Sequence, residues 1–269
     1  MPSPRKQLAN DKPGLSPANR SLERGIELLR AFRPGSELLG NGELVERTGL
    51  SKATVSRLAQ TLVGAGLLQW EPARRAYRLA PAVLSLAHAM RSGSRVLNVA
   101  GPLMRGLAES RHINVGLAAP DRDEMVYLES IRYARRVALR HVVSGQRVPM
   151  ELTSLGRAYL SVAPKPRRDA LMQIFRDRRG QAWGDMERAI QEAFGDLRRH
   201  GFCSASWQPE VVAIAAPLIV DGAIYIVNLS LSTDEPPREV ALQWGPCLLD
   251  LVAQVRHGLD QESPLPGSP

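Results

Sequence analysis

GELVERTGLSKATVSRLAQTLVGAGLLQWEPARRAYRLA, residues 42–80, decides the fold of the first third of the chain. Gly42 to Thr48 reads as a short helix with Leu44 and Val45 turned inward. Gly49 follows, and glycine closes a helix in the left-handed conformation at least cost. Ser51 can accept a hydrogen bond from a first-turn amide, so it is placed to cap a second helix, from Lys52 to about Val63. Val55, Leu58 and Leu62 recur at helical spacing and give that helix its buried face. Gly64 and Gly66 end it. The run LLQWEPARRAYRLA then reads as two strands around a turn at Glu71-Pro72-Ala73-Arg74.

Upstream, Leu22, Ile26 and Leu29 fall at i, i+4 and i+7, with Leu28 beside them, and predict one more amphipathic helix that Pro34-Gly35 stops. Three short helices followed by a hairpin make a winged helix-turn-helix over residues 20–80. The residues of the last helix that lie off its apolar stripe are short hydroxyls and cations: Ser51, Lys52, Thr54, Ser56 and Arg57. These residue types suit a helix that enters the major groove, where its first turn meets base edges and its cations meet phosphates. Arg74 and Arg75, with Arg78, sit at the hairpin tip, where arginines contact phosphates or enter the minor groove. Double-stranded DNA is therefore the expected partner of this segment.

The charge distribution agrees. The 269-residue chain carries a net charge of +8. Residues 1–80 hold 13 Lys/Arg against 7 Asp/Glu, and the rest hold 22 against 20, so the excess is concentrated beside the helix-turn-helix. A hydrophobic content of 44% with 23% charged residues is ordinary globular composition. Cys203 and Cys247 are too few for a disulfide framework, and no CxxC or Cys/His cluster suggests a metal. No uncharged apolar run reaches the roughly 18 residues a membrane helix needs, and the basic N-terminus lacks an apolar signal core. A cytoplasmic protein without cofactor, metal or membrane partner is expected.

Residues 1–19 and 261–269 are proline-rich and aperiodic and read as disordered tails. Pro81 opens a linker helix within residues 81–95, closed by Gly93. Beyond it, helices are expected over Val96–Arg111, Thr153–Val162, Arg167–Phe175, Met186–His200 and Arg238–Gly258. Strands are expected over Val115–Ala118, Met125–Ile131, Val137–Val142, Val211–Val220 and Ala223–Leu231. Asp221-Gly222 is a strong hairpin signal between the last two. Residues 96–260 thus form an α+β domain, and the chain as a whole an α+β protein of two domains. No GxSxG, Walker loop, HExxH or GxGxxG is present, and His88, His112, His141, His200 and His257 are scattered, so no catalytic residue is assigned and the chain is read as a non-enzyme.

SLERGIELLRAF, ELVERTGLSKATVSRLAQTLVGAGLLQWEPARRAYRLAP, NVGLAAPDRDEMVYLESI, GQRVPMELTSLGRAYLSVAP and EVVAIAAPLIVDGAIYIVNLSLS resemble, in order and spacing, the blocks of the IclR-type bacterial transcriptional regulators. The resemblance spans about residues 20–258. It implies a GAF-like C-terminal domain that senses a small organic acid or aromatic metabolite and modulates operator affinity or activity. It also implies a homodimer or homotetramer on a pseudo-palindromic operator, with the linker near Pro81–Gly93 transmitting ligand state.

The resemblance places the effector at Thr153, Ser154, Leu155 and Gly156, at the strand through Val211 and Ala213, and at the hydroxyls of Ser230 and Ser232. Thr153 can equally be an ordinary N-cap, and Ser230 and Ser232 can be hydroxyls on a solvent-facing strand. Trp207 offers an aromatic wall opposite Ala213 or, alternatively, a core residue. The chain departs from the family pattern where Glu151 replaces a histidine and Ala213 a cysteine. It departs again in the shorter CSASWQPEV loop after Gly201. Cys203 is expected to be a small, partly buried residue and not a redox sensor. A module that binds a small molecule and mediates assembly without touching DNA is the alternative reading, and the Lys52, Arg57, Arg74 and Arg75 set argues against it.

Overall fold

The computed structural model describes residues 19–133, 143–208 and 210–261. They form two compact units that part between Ser94 and Arg95. The strand expected over Val137–Val142 and most of both tails lie outside the described residues. No helix among the described residues is long and apolar enough to cross a membrane.

The first unit holds α1 (Arg20–Arg30), α2 (Asn41–Thr48), α3 (Lys52–Gly64), the hairpin β1 (Leu68–Glu71) and β2 (Ala76–Leu79), and α4 (Ala82–Ser92). Local signals fix most of it. The Asn19 side chain caps α1 by accepting from the amides of Ser21 and Leu22. Gly49 closes α2 at φ +68°. Ser51 caps α3 by accepting from the Thr54 amide at 3.3 Å. Leu28, Leu39, Leu44, Val55, Leu58, Leu68 and Tyr77 form the core.

Two details differ from the sequence reading. The face of α1 that packs inward carries Leu28, continued by Ala31 and Phe32, and it leaves Leu22 and Ile26 exposed. The i, i+3, i+4 set formed with residues just beyond the helix end outweighs the set that begins at Leu22. Leu39 also pairs with Tyr77, each amide bonding the other's carbonyl at 3.0 and 2.9 Å, which gives the wing a second backbone pairing beside β1–β2.

The second unit is built on a six-stranded, wholly antiparallel sheet of order β5-β4-β3-β8-β7-β6. Its strands are β3 (Asn114–Asp121), β4 (Glu124–Ile131), β5 (Arg147–Pro149), β6 (Cys203–Gln208), β7 (Val211–Val220) and β8 (Ala223–Ser232). The β7–β8 hairpin turns at Asp221 and Gly222, both at positive φ as a tight twisted turn requires. Both edge strands, β5 and β6, escape the sequence reading. One has three residues, and the other reads CSASWQ, with no β-branched residue.

Side chains alternate across the strands. Ile214, Ala216, Leu218, Val227 and Leu229 face one core, with residues of α5 (Arg95–Arg111) and α9 (Pro237–Gln261). Ala215, Ile226, Met125 and Tyr127 face the other, with residues of α6 (Ser154–Val162), α7 (Lys165–Arg179) and α8 (Trp183–His200). This is the α+β, GAF-like arrangement expected, with helices on both faces of the sheet.

Candidate nucleic-acid interface and ligand cavity

On α3 the apolar stripe buries Val55, Leu58 and Ala59, so the opposite side must be polar. Lys52, Ala53, Arg57 and Gln60 are exposed, while Thr54 and Ser56 are half-buried. The Ser51 and Thr54 hydroxyls bond each other at 2.9 Å. Neither Lys52 nor Arg57 forms an ion pair among the described residues. Both cations are thus available on the first two turns, where the α3 dipole adds positive potential. At the wing tip Arg74 and Arg75 are exposed, and Arg75 adopts φ +49° in the turn. Arg78 is tied to Gln69 at 3.2 Å. Arg47 holds the approach of α2, donating to the Ala31 carbonyl and the Ser36 hydroxyl, both at 3.0 Å.

In the second unit, residues distant in sequence converge beside the start of α6. Thr153, Ser154, Leu155, Trp207, Val211, Ala213 and Ser230 line one cavity, joined by Tyr127, Arg132, Val148, Gln208 and Asn228. Its volume is about 30 Å³. The register explains the meeting, because Ser230 pairs with Ala213 on one side and with Asn114 on the other. Gly156 and Ser232, also expected at the site, do not line it. Gly156 instead serves packing. Any Cβ there would overlap the backbone of Met150, so the glycine lets α6 sit down on the segment before it.

The hydroxyls divide into occupied and unoccupied. Thr153 Oγ1 accepts from the Gly156 amide at 3.2 Å and donates to the Pro149 carbonyl at 2.8 Å, so its proton is committed to the cap and one lone pair remains. The Gly156 amide is occupied by the same bond. Arg132 donates to Ser130 Oγ at 2.8 Å and to Ser230 Oγ at 3.3 Å. Burial lowers the Arg132 guanidinium from its usual range, against the raising influence of Tyr127. Burial likewise pushes the Tyr127 phenol up, while the charge and hydrogen bond of Arg132 and a hydrogen bond from Asn228 pull it back. Two buried polar atoms at the cavity, Ser154 Oγ and Asn228 Oδ1, have no hydrogen-bond partner. Gly116 makes room for this corner, since a Cβ there would collide with Asn228 Oδ1 and the Tyr127 ring.

Glu151 stays outside the cavity. It is fully buried, and its Oε1 accepts from Arg179 at 2.7 and 3.2 Å and from Arg178 at 3.4 Å. Arg178 also pairs with Asp123. These contacts fasten the segment before α6 to the end of α7. Cys203 is buried with its thiol 3.5 Å from the Ser154 carbonyl, and burial pushes it up to about 12, outside the range of a reactive thiolate. A larger groove of about 750 Å³ runs along α8, β6 and the start of α9, but it includes none of the expected residues. The small cavity is the stronger candidate because buried polar groups converge on it.

Sequence reasoning misses Arg132, Tyr127, Val148, Gln208 and Asn228. Arg132 follows a strand end and could be flagged as a cation near a sheet, but nothing local ties it to Ser230, 98 residues away.

Residues 21–72 match the IclR helix-turn-helix domain family, and residues 88–236 match the family of bacterial transcriptional regulator IclR C-terminal domains. The chain is 31% identical over 245 residues to the HTH-type transcriptional regulator TsaQ1/TsaQ2 of Comamonas testosteroni, covering 88% of this chain and 87% of that one. An IclR family transcriptional regulator from Brucella abortus has a similar structure, with TM-score 0.81, 31% identity and coverage of 98% and 100%. A homologue from Microbacterium hydrocarbonoxydans, crystallised with 4-hydroxybenzoate, shares the fold at TM-score 0.69 and 21% identity, over 90% of this chain and 100% of that one.

Proposed function

We propose, for a chain that belongs to the IclR family of bacterial transcriptional regulators and binds DNA, that α3 and the wing arginines read an operator and that a small organic or aromatic acid in the cavity tunes the reading. Ser51, Lys52, Thr54, Ser56 and Arg57 face the major groove in this scheme. Arg74 and Arg75 hold the flanking phosphates. The effector lies against Ser154, Leu155, Trp207, Val211, Ala213 and Ser230. The observation that carries the reading is the cavity itself: seven of the nine residues expected at the effector site line one space. That the Microbacterium homologue takes 4-hydroxybenzoate supports an acid with an aromatic body.

A homodimer on a pseudo-palindromic site completes the proposal. Leu22 and Ile26 on α1, and Leu84, Leu86 and Met90 on α4, are exposed, and α4 buries none of its residues. Apolar surface of this kind suits a second copy. The linker helix α4, two residues before α5, is where the proposal locates the coupling.

The test is DNA binding by the whole chain to the region upstream of its own gene, at two salt concentrations, with and without a panel of organic acids. Specific binding that weakens steeply with salt is expected. One acid should then change the affinity by roughly 5- to 150-fold. Operator affinity that stays flat across the acids would overturn the coupling.

A further inference from the structure

α5 begins two residues after α4, so it is the element of the second unit that stands next in the chain to the reading unit. Its far end is tied to a residue of the cavity. β3 starts at Asn114, three residues after α5 closes at Arg111. The Asn114 side chain is buried and bonds in two directions. Its Nδ2 donates to the Ser230 carbonyl at 3.2 Å, and its Oδ1 accepts from the Tyr133 amide at 3.0 Å. One residue earlier, Arg132 donates to Ser230 Oγ at 3.3 Å. Ser230, which lines the cavity, therefore holds the chain leaving β4 twice: Arg132 directly, and Tyr133 through Asn114.

The Tyr133 ring then stacks on the His112 imidazole, with centroids 4.2 Å apart and planes inclined by 18°. His112 is the first residue past α5. Its φ of +58° is one that a β-carbon disfavours, so its neighbours must hold it there. Ile113, next along, is anchored in the core beside residues of α5. The other lining segments lead elsewhere. Ser154 and Leu155 start α6, whose approach Glu151 fastens to Arg179 of α7, and Trp207 lies on the edge strand β6.

We propose that the Tyr133–His112 stack is the contact through which occupancy of the cavity is passed to α5, and so to α4. This rests on reading the cavity as the effector site and adds where the signal leaves it. An occupant that competes for Arg132 at Ser230 moves the residue bonded to Tyr133 in the chain. The ring pair converts that movement into a change at the end of α5, because two rings are either stacked or apart, and coupling needs a contact with two discrete arrangements. Neither ring belongs to the described cavity lining, to α3 or to the wing, so both are positioning residues.

The test is a double-mutant cycle on operator affinity, made on the whole chain with the region upstream of its gene. Ser230→Ala releases Arg132 from β8 as an occupant does, and should change operator affinity by roughly threefold or more. In chains that also carry Tyr133→Ala or His112→Asn, the same substitution should change it by less than about twofold. Asparagine accepts the left-handed backbone, so His112→Asn removes the ring and keeps the turn. Tyr133→Phe keeps the ring and should preserve the full effect. Both residues are exposed, and unchanged unfolding midpoints check that the variants fold. A second arm uses benzoate, 4-hydroxybenzoate, succinate and pyruvate. Any of these that shifts operator affinity of the unaltered chain should still bind Tyr133→Ala in calorimetry, with the shift gone. Operator DNA should then no longer alter the affinity for that acid, a reciprocal loss that a merely structural role does not produce.

An undiminished effect of Ser230→Ala in the Tyr133→Ala and His112→Asn chains overturns the proposal and leaves the effector reading in place. So does an acid whose shift survives both variants. If Ser230→Ala changes nothing, the proposal falls, and the effector reading stands only if an acid still shifts operator affinity. If no acid does, both fall together.

Discussion

The two polar surfaces of this protein solve opposite problems. On α3 the hydroxyls satisfy each other, Ser51 with Thr54 at 2.9 Å, and the cations Lys52 and Arg57 are left in solvent. In the cavity the cation is held by hydroxyls, and two buried neutral atoms, Ser154 Oγ and Asn228 Oδ1, have no partner. The first surface waits for a partner that carries charge along its whole length, and its interaction should track ionic strength. On the proposed function the second would take a partner with donors and acceptors at fixed places, and its interaction should track ligand chemistry while hardly responding to salt.

The comparison breaks most readily at Gly156. A β-branched side chain there collides with the Met150 backbone, so Gly156→Val should destabilise the chain by about 3 kcal/mol in denaturant titration and remove ligand binding. Unchanged stability would mean that the close approach of α6 to Met150 does not define the cavity floor.

On the other surface, Lys52→Ala with Arg57→Ala should lower operator affinity about 100-fold at low salt and reduce the salt slope by about two, with calorimetric ligand binding intact. A loss independent of salt would make these two side chains structural.

A smaller effect separates buried from exposed chemistry by pH. The folded Cys203 thiol is held at about 12, against an ordinary value of 9.0, so the folded state keeps a proton that the unfolded state loses. Its contribution is whole below pH 9 and declines as pH rises towards 12, at no more than about 1.4 kcal/mol per pH unit. Cys203→Ala should flatten that part of the stability profile, and a wild-type thiol alkylated readily at pH 8 in the folded state would contradict the burial. The smallest effect belongs to the α3 cap, where Ser51→Ala should cost about 1 kcal/mol in thermal unfolding.

The same contrast governs what is legible in the sequence. The reading unit is built from signals a few residues apart: Ser51 to Thr54, Gly49 after Thr48, Pro81 before α4. All of these appear in the structure as the sequence implies. Even there the buried face of α1 differs from the one its periodicity suggests, because Phe32 lies past the helix end and still sets its rotation. The cavity is built by register. Tyr127, Arg132 and Asn228 come together because β4, β3 and β8 lie side by side and Gly116 stands opposite Asn228. No periodicity within a strand announces that pairing. The family pattern places its own segments, and it does not reach the residues that strand pairing brings to them.

The outer wall of the cavity hangs on the last strand of the sheet. β6 has a neighbour on one side only, and its ladder with β7 skips between Ala205 and Gln208, the stretch that carries Trp207. An unpaired residue on a sheet edge is among the least costly pieces of backbone to move. If the cavity takes an effector as proposed, its arrival should be set by how often that edge parts, so the observed association rate should rise with concentration and then level off. On that reading the response would run on a clock fixed by the sheet rather than by diffusion.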